Sequence, residues 1–426
     1  MKQDVVITGI GLVAGDFIHP EVLFDYMGSG QSLIQGHPFH IDCGFPNPAS
    51  AFLSPKAWRV IDEYAALESS NTLGPLARLA WYTAGQAWKQ SGLPLHLDQE
   101  PGGVFMACNK YSIEAKHLTE LTNCFDFKKR QVDLDRYIET STHEPDHFYS
   151  RLQDTATLTL SQRFGLTDIV MTHGDACAAG GMAIGGAYRY IQDGVLDVAL
   201  SVSAELLCNL IPLIAFSVIG AHAQGSPFTG PSISRPFDKE RSGFVMGEGS
   251  ACLVMESRSH AEKRGATILA QMSGYAGIAE AFSMTASNKD GSEYARCIEL
   301  ALSDAGLLPT AVDHINAHGT STQVSDACEA AAIRRVFGAD AGNVPITANK
   351  SAMGHSLGNS GITEAVLSIL TLQKQAVLPT LNYSHADTEC DALDIVTALR
   401  PMPINVILSN SFGFGGENCS LILQAA

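Results

Sequence analysis

The feature that most constrains the fold is a rhythm. Short apolar runs of strand length alternate with longer segments of helical period, and the second half of the chain repeats the order of the first. In the first half Val5–Ile10 reads as a strand, Pro75–Gln90 as a helix opened by proline, and Val104–Ala107 as a strand. Leu76, Leu79, Ala80, Ala84 and Ala87 give that helix an apolar face. Leu152–Phe164 then reads as a helix, Ile169–Thr172 as a strand, Ala178–Gln192 as a closely packing Gly/Ala helix, and Val195–Ser203 as a strand. In the second half the strands are Ala251–Glu256, Ile268–Tyr275, His314–Ala317, Pro345–Ala348, Val406–Ser409 and Ser420–Leu423. The helices are Ser292–Ala305, Ser325–Val336 and Ile362–Gln373. This alternation predicts a layered α/β architecture. The halves share an order of elements but no repeat of residues, and no Pro/Ser linker divides them. Asn109–His147 is polar, charged and irregular, and reads as an excursion from the layers.

With 46% hydrophobic and 17% charged residues among 426, the chain can bury an extensive core and has no composition for long disordered tails. A net charge of −17 argues against non-specific nucleic-acid binding, and an acidic partner would need a local basic patch. The ten cysteines are scattered without a CxxC pair, the pattern of reduced thiols in a cytoplasmic protein. MKQDVVITGIG lacks the long apolar segment of a signal peptide. The apolar run Leu206–Ala221 is broken by Asn209, Pro212 and Ser217, and reads as a buried helix or cavity wall, not a membrane span.

Three motifs carry chemistry. Cys177 lies in DACAAGG, between a strand and a helix, where helix dipole and free N–H groups favour thiolate. A lone Cys among Ala and Gly is more often a small buried hydrophobe. His318 lies in NAHGTST and His355 in NKSAMGHSLGNSG; each alone serves structure or function equally well. No HxH, HExxH or CxxC accompanies them, so no metal is expected. The chain closes on SNSFGFGG, a glycine loop able to present backbone N–H groups.

Taken together with VITGIG and SRPFDKERSGFVMGEG, these blocks resemble the β-ketoacyl-acyl-carrier-protein synthases, the condensing enzymes of fatty-acid and type II polyketide synthesis. The resemblance spans nearly the whole chain and is to the elongating Cys-His-His branch. It implies a thiolase fold: an α/β unit of five layers, α-β-α-β-α, with two pseudo-repeated halves, here 1–260 with the nucleophile and 261–426 with both histidines. It implies decarboxylative condensation of a malonyl thioester with an acyl group on Cys177, without a cofactor, in a homodimer or a heterodimer with a related subunit. His318 and His355 would steady the enolate, and the N–H groups of Cys177 and Phe414 the tetrahedral oxyanion, with Phe414 as gate. Lys350 and Glu364 match a buried ion pair, Asp326 and Glu329 an inner acidic network, and Thr320 and Thr322 positions that hold pantetheine. The partner implied is an acyl carrier protein. Two other readings are a non-catalytic chain-length-factor-type partner, which typically lacks the nucleophile, and a thiolase-like coenzyme A acyltransferase. The latter would need a second catalytic Cys, and Cys419 lacks that motif.

Three places depart from the family pattern. Asp175 replaces the usual Thr, and an anion there would raise the Cys177 pKa unless it points away. Phe282 and Ser283 stand where many members carry a loop histidine, and Asn109–Tyr111 replaces a glycine-rich stretch. These departures tilt the expected pathway toward a specialised polyketide or polyene. Lys128, Lys129 and Arg130 form the densest basic run and are the expected carrier-docking patch near the pocket entrance.

Overall fold

The computed structural model describes residues 2–68, 73–97, 100–108, 115–140, 153–224 and 227–426. Two runs of five strands, with the short strand Asp394–Ile395 added in parallel at the free edge of the second, build its eleven-stranded main sheet. The first holds β1 (Val5–Val13), β2 (Gly102–Ala107), β3 (Ile169–His173), β4 (Val198–Glu205) and β5 (Gly249–Ser257), in the spatial order β3-β2-β4-β5-β1. The second holds β6 (Ala270–Ala279), β7 (His314–Asn316), β8 (Pro345–Thr347), β9 (Val406–Phe412) and β10 (Glu417–Gln424), in the order β8-β7-β9-β10-β6. Adding five to each number of the first run gives the second. Directions match too: β2 is parallel to β3 and β4, as β7 is to β8 and β9, and the remaining pairs are antiparallel. The runs meet where Val5–Ile7 of β1 pairs with Ala270–Met272 of β6.

Six helices complete the layers. α1 (Pro75–Ser91) and α2 (Gln153–Phe164) cover the outer face of the first run. α4 (Ser292–Ala305) and α5 (Gln323–Phe337) belong to the outer layer of the second. Between the runs lie α3 (Ala179–Gln192) and α6 (Ser360–Lys374). Each interlayer space has its own apolar core, and the central one is built around α3 and α6. The architecture is therefore α-β-α-β-α, with a topological repeat that the residues do not display. Ser360–Leu372 of α6 is buried throughout, as a helix walled in on every side must be.

The two central helices touch without side chains between them. A Cβ on Gly180 would lie 2.7 Å from the Gly358 carbonyl oxygen and 2.8 Å from the Ile362 nitrogen. A Cβ on Gly361 would lie 2.6 Å from the Gly181 nitrogen. Only glycine allows this approach. The 260/261 division lies inside the short helix Arg258–Lys263, which follows β5.

Two readings of the sequence are corrected. Within Leu206–Ala221 the helix is Leu210–Val218, N-capped by the Asn209 side chain, and only Leu213 is fully buried. Val218 is 79% exposed, so the helix is not buried, whereas the cavity-wall alternative stands: Leu213 and Phe216 pack in the cluster with Cys177, and Ile219–Ala221 line a cavity beside it. The described part of the excursion is ordered: helices Ala115–Asn123 and Leu134–Thr140 flank a hairpin of Phe125–Asp126 with Gln131–Val132. The Asp133 carboxylate accepts from the Arg136 N–H at 3.0 Å and so supplies the start signal of the second helix. Asn109–Tyr111 and Leu152 lie outside the described residues. No described helix is long and apolar enough to cross a membrane.

Candidate active site

β3 ends at His173, and the chain turns through Ala176, whose φ of +46° is strained for a residue with a Cβ. The turn Ala176–Ala178 runs straight into α3 and holds Cys177, 2% exposed, with its thiol facing the backbone N–H groups of Phe414 and of Cys177 itself. Burial pushes that thiol up to about 11, opposed by the two N–H groups and the Lys350 charge. The helix start therefore does not yield a resting thiolate; desolvation outweighs it. Asp175 points away from the sulfur. Its carboxylate lies 3.2 Å from His173 Nδ1 and within hydrogen-bonding reach of Glu417, and the His173 contact holds it below the usual range.

His318 follows β7 on a loop pinned by two carboxylates of α5. Glu329 accepts from the N–H groups of His318 and Gly319 at 2.8 and 2.9 Å, and Asp326 from those of Thr320 and Ser321 at 3.0 and 3.2 Å. Burial raises Asp326 to about 6 and Glu329 to about 7. His355 comes from the short turn before α6. Its Nε2 lies 3.1 Å from Cys177 Sγ, and its Nδ1 2.9 Å from Ser360 Oγ. The two imidazoles meet edge to face at 5.4 Å, and the Cys177 sulfur and one nitrogen of each ring lie within 4.8 Å of one another. Such a trio could reach one metal ion, but the Sγ–Nε2 contact already engages two of its members. Burial first, then the Lys350 charge, holds both imidazoles well below their ordinary pKa and therefore neutral. Lys350 Nζ donates to Glu364 at 2.5 Å and to the His318 carbonyl at 2.7 Å, both charged groups being buried. The expected ion pair thus braces the loop of one histidine against the helix that follows the other.

A cavity of about 680 Å³ runs from Cys177, His318 and His355 past Thr320 and Thr322 to the exposed Lys239. The threonine hydroxyls lie 3.0 Å apart. Around Cys177 an apolar cluster holds Leu207, Leu213, Met246 and the aromatic rings of Phe45, Phe52, Phe216, Phe244 and Phe414, of which Phe244 and Phe414 also line the cavity. Phe244 meets His355 edge-on at 5.3 Å, and Phe216 lies 5.9 Å from Phe414. Neither Phe244 nor Ser360 was singled out by the sequence reading, although both sit inside its motif blocks. Their signal was position within a block, and only the fold gives it a role. Phe282 is exposed and Ser283 half-buried, while the following Thr285–Ser287 line the cavity and the Met284 carbonyl accepts from the Gly415 N–H at 2.9 Å. Lys128, Lys129 and Arg130 are not among the cavity-lining residues. They occupy the exposed hairpin turn, where Asp126 accepts from the N–H groups of Lys128 and Lys129 and sits 3.8 Å from Lys129 Nζ. The basic groups that do line the cavity are Lys239 and Arg241, the latter buried against Asp326 and Asp387.

Residues 2–261 match the beta-ketoacyl synthase N-terminal domain, and residues 269–384 the C-terminal domain. The chain belongs to the β-ketoacyl synthase family. The putative polyketide beta-ketoacyl synthase 1 of Streptomyces cyaneus is 31% identical over 99% of this chain and 98% of the relative. The 3-oxoacyl-[acyl-carrier-protein] synthase 2 of Coxiella burnetii is 29% identical over 99% of both. Among solved structures, a type II polyketide-synthase acyl-carrier protein in complex with its ketosynthase bound to the hexaketide aligns over 100% of both chains, with 29% identity and a TM-score of 0.86. The ishigamide ketosynthase/chain length factor aligns equally fully, at 27% identity and a TM-score of 0.85. This β-ketoacyl synthase is thus a condensing enzyme of thiolase-like fold.

Proposed function

We propose that the enzyme extends an acyl chain held on Cys177 by decarboxylative Claisen condensation with a malonyl group delivered on an acyl carrier protein. The observation that carries this is the meeting of one thiol, two neutral imidazoles and two backbone N–H groups in a single cavity. The Cys177 thiol attacks the incoming acyl thioester while His355 Nε2 takes its proton and returns it to the departing pantetheine sulfur. Ser360 Oγ can accept from or donate to Nδ1, so either tautomer of His355 is supported. Before the second half-reaction, exchange with solvent moves the His355 proton from Nδ1 to Nε2, Ser360 Oγ then donating to Nδ1, and Nε2–H and His318 donate to the enolate oxygen formed as the malonyl group loses carbon dioxide. The carbanion attacks the acyl-Cys carbonyl, and the oxyanion sits against the N–H groups of Cys177 and Phe414. Collapse expels Cys177 thiolate, which takes up one proton. Thr320 and Thr322 supply hydroxyls to the pantetheine amides, and no cofactor takes part.

The substrate reading is a specialised polyketide or polyene chain, because the cluster around Cys177 is walled by aromatic rings that favour flat, unsaturated acyl groups. The partners are the carrier protein and a second ketosynthase-like subunit, identical or related. β3 is the outermost strand of its run, with Val170 and Met171 exposed, and such an edge calls for a covering chain. No disulfide joins any of the ten cysteines, which supports a cytoplasmic setting. The test is intact-protein mass spectrometry after incubation with acyl-carrier proteins bearing saturated and polyunsaturated chains. Acylation of wild type but not Cys177→Ala, faster with unsaturated chains, is expected. Acyl transfer to Cys177→Ala at the wild-type rate would reject the assignment.

A further inference from the structure

Resting on the reading above, we infer that Glu417 and Asp175 are positioning residues, a carboxyl pair sharing one proton that holds the two oxyanion-hole N–H groups in register. The two N–H groups come from different loops. Cys177 sits two residues after Asp175, past the strained Ala176, and Phe414 three residues before Glu417. The loops are in direct contact: a Cβ on Gly413 would lie 3.3 Å from the nitrogens of Cys177 and Ala178. The Phe414 loop closes on itself through Gly413 N–H donating to the Glu417 carbonyl at 2.7 Å. Backbone alone therefore fixes Glu417 relative to Phe414, while the Asp175 side chain caps nothing in its own turn. That side chain instead reaches the Glu417 carboxyl, bridging the two loops beside the hole.

Two carboxyl groups this close cannot both be ionised without repulsion. His173, from β3, favours the Asp175 anion. Burial and the Asp175 charge hold Glu417 above the usual carboxyl range, so Glu417 is the member of the pair that keeps its proton longer as pH rises, its O–H then donating to the Asp175 carboxylate. The other titratable groups described around the pair add no positive charge. Glu280, after β6, accepts from the Asn418 side-chain amide and the Asn288 N–H, and the half-buried Tyr275 on β6 and the buried Cys419 on β10 are neutral groups. As pH rises through the Glu417 pKa, the proton leaves, the two anions repel, and the loops part at the oxyanion hole. Asp175, the residue that departs from the family pattern, thus has a partner that makes it useful.

The experiment follows acylation of Cys177 by a small soluble acyl thioester across pH, with mass spectrometry as readout and thermal unfolding as the folding control. Wild type should lose rate along an alkaline limb. Glu417→Gln keeps a donor to Asp175 at every pH and should abolish that limb. Asp175→Asn gives Glu417 a donor once it ionises and should abolish it too. Glu417→Ala should be slower by about tenfold at all pH values, a part of the loss expected for a full oxyanion donor. An alkaline limb unchanged in Glu417→Gln and Asp175→Asn, or Glu417→Ala within about twofold of wild type, overturns the positioning role. Failure of wild type to acylate at Cys177 at all instead overturns the functional reading.

Discussion

Replacing Lys350 by Met tests whether a buried charge pair organises the site. The side chain keeps its length and loses two charge-assisted bonds, at 2.5 Å to Glu364 and 2.7 Å to the His318 carbonyl. Lys350 and Glu364 are each 1% exposed, so no water replaces the lost partner. Breaking one side of such a pair costs about 3–5 kcal/mol. The pH dependence gives a sharper signature. Burial already raises Glu364 from 4.5 to about 7 against the pull of Lys350, and removing Lys350 raises it further. A carboxyl whose folded pKa is raised contributes stability at low pH and loses it as pH climbs toward that folded pKa. In wild type the loss ends near pH 7; in the variant it continues above it. The deficit should therefore widen above pH 7 by up to about 1.4 kcal/mol per pH unit. Urea unfolding at a series of pH values between about 6 and 9 measures this. Lys350→Met combined with Glu364→Gln should remove the widening and recover part of the loss. A deficit below about 1 kcal/mol, or one that does not change with pH, would refute the idea that the pair is tightly coupled.

His318→Ala and His355→Ala should each slow malonyl decarboxylation by about 10²–10³-fold, and His318→Ala should still form acyl-enzyme; full decarboxylation by both variants would dismiss their role as enolate donors. Lys239→Glu, at the exposed end of the cavity, should raise KM for carrier-bound substrate and flatten its salt dependence while sparing a small thioester. Reversing Lys128, Lys129 and Arg130 together should do neither, since those residues do not line the cavity; the opposite ranking in carrier titrations would restore the hairpin as docking site. Burial lowers His37 and His222 to about 4, so the unfolded chain takes up their protons first as pH falls below 6.5. The raised carboxyls Asp326, Glu329 and Glu364 gain stability over the same window, so the histidine share is read as a difference: wild type should lose stability relative to a His37→Gln/His222→Gln variant between pH 6.5 and 4, and a difference in urea midpoint that stays flat across this window would count against it.

Local signals made the layers legible. Ser292–Ala305 can be read from its period alone, and most strands are displaced by only a few residues, because buried strands and amphipathic helices write their environment into apolar spacing. The repeat of topology was not legible, since the same strand order can be met by unrelated apolar residues. The excursion was misread because its helices are short and carry exposed Leu134 and Ile138, so no core-facing stripe marks them. At the site, Cys177, His318 and His355 stood out by motif, and the fold brought them together. The state of the thiol did not stand out: a helix start is visible in sequence, whereas complete desolvation is a property of the packed site. The pairing of Asp175 with Glu417 joins residues some 240 positions apart and leaves no trace in either motif.

The glycine contact between the central helices sets how this enzyme can diversify. The start of α3 follows the nucleophile, and the start of α6 follows His355. Backbone rests on backbone at Gly180 and Gly361, so no side chain exists there whose exchange could retune the spacing between thiol and imidazole. Any larger residue would prise the reacting groups apart, and nothing smaller than glycine is available. New substrate tastes must then be acquired at a distance from this hinge-less junction, among the rings of Phe45, Phe52, Phe216 and Phe244 and along the exposed loop at Phe282. A library confined to those positions should yield altered chain preference with intact chemistry, while one aimed at the helix junction should yield only inactive protein.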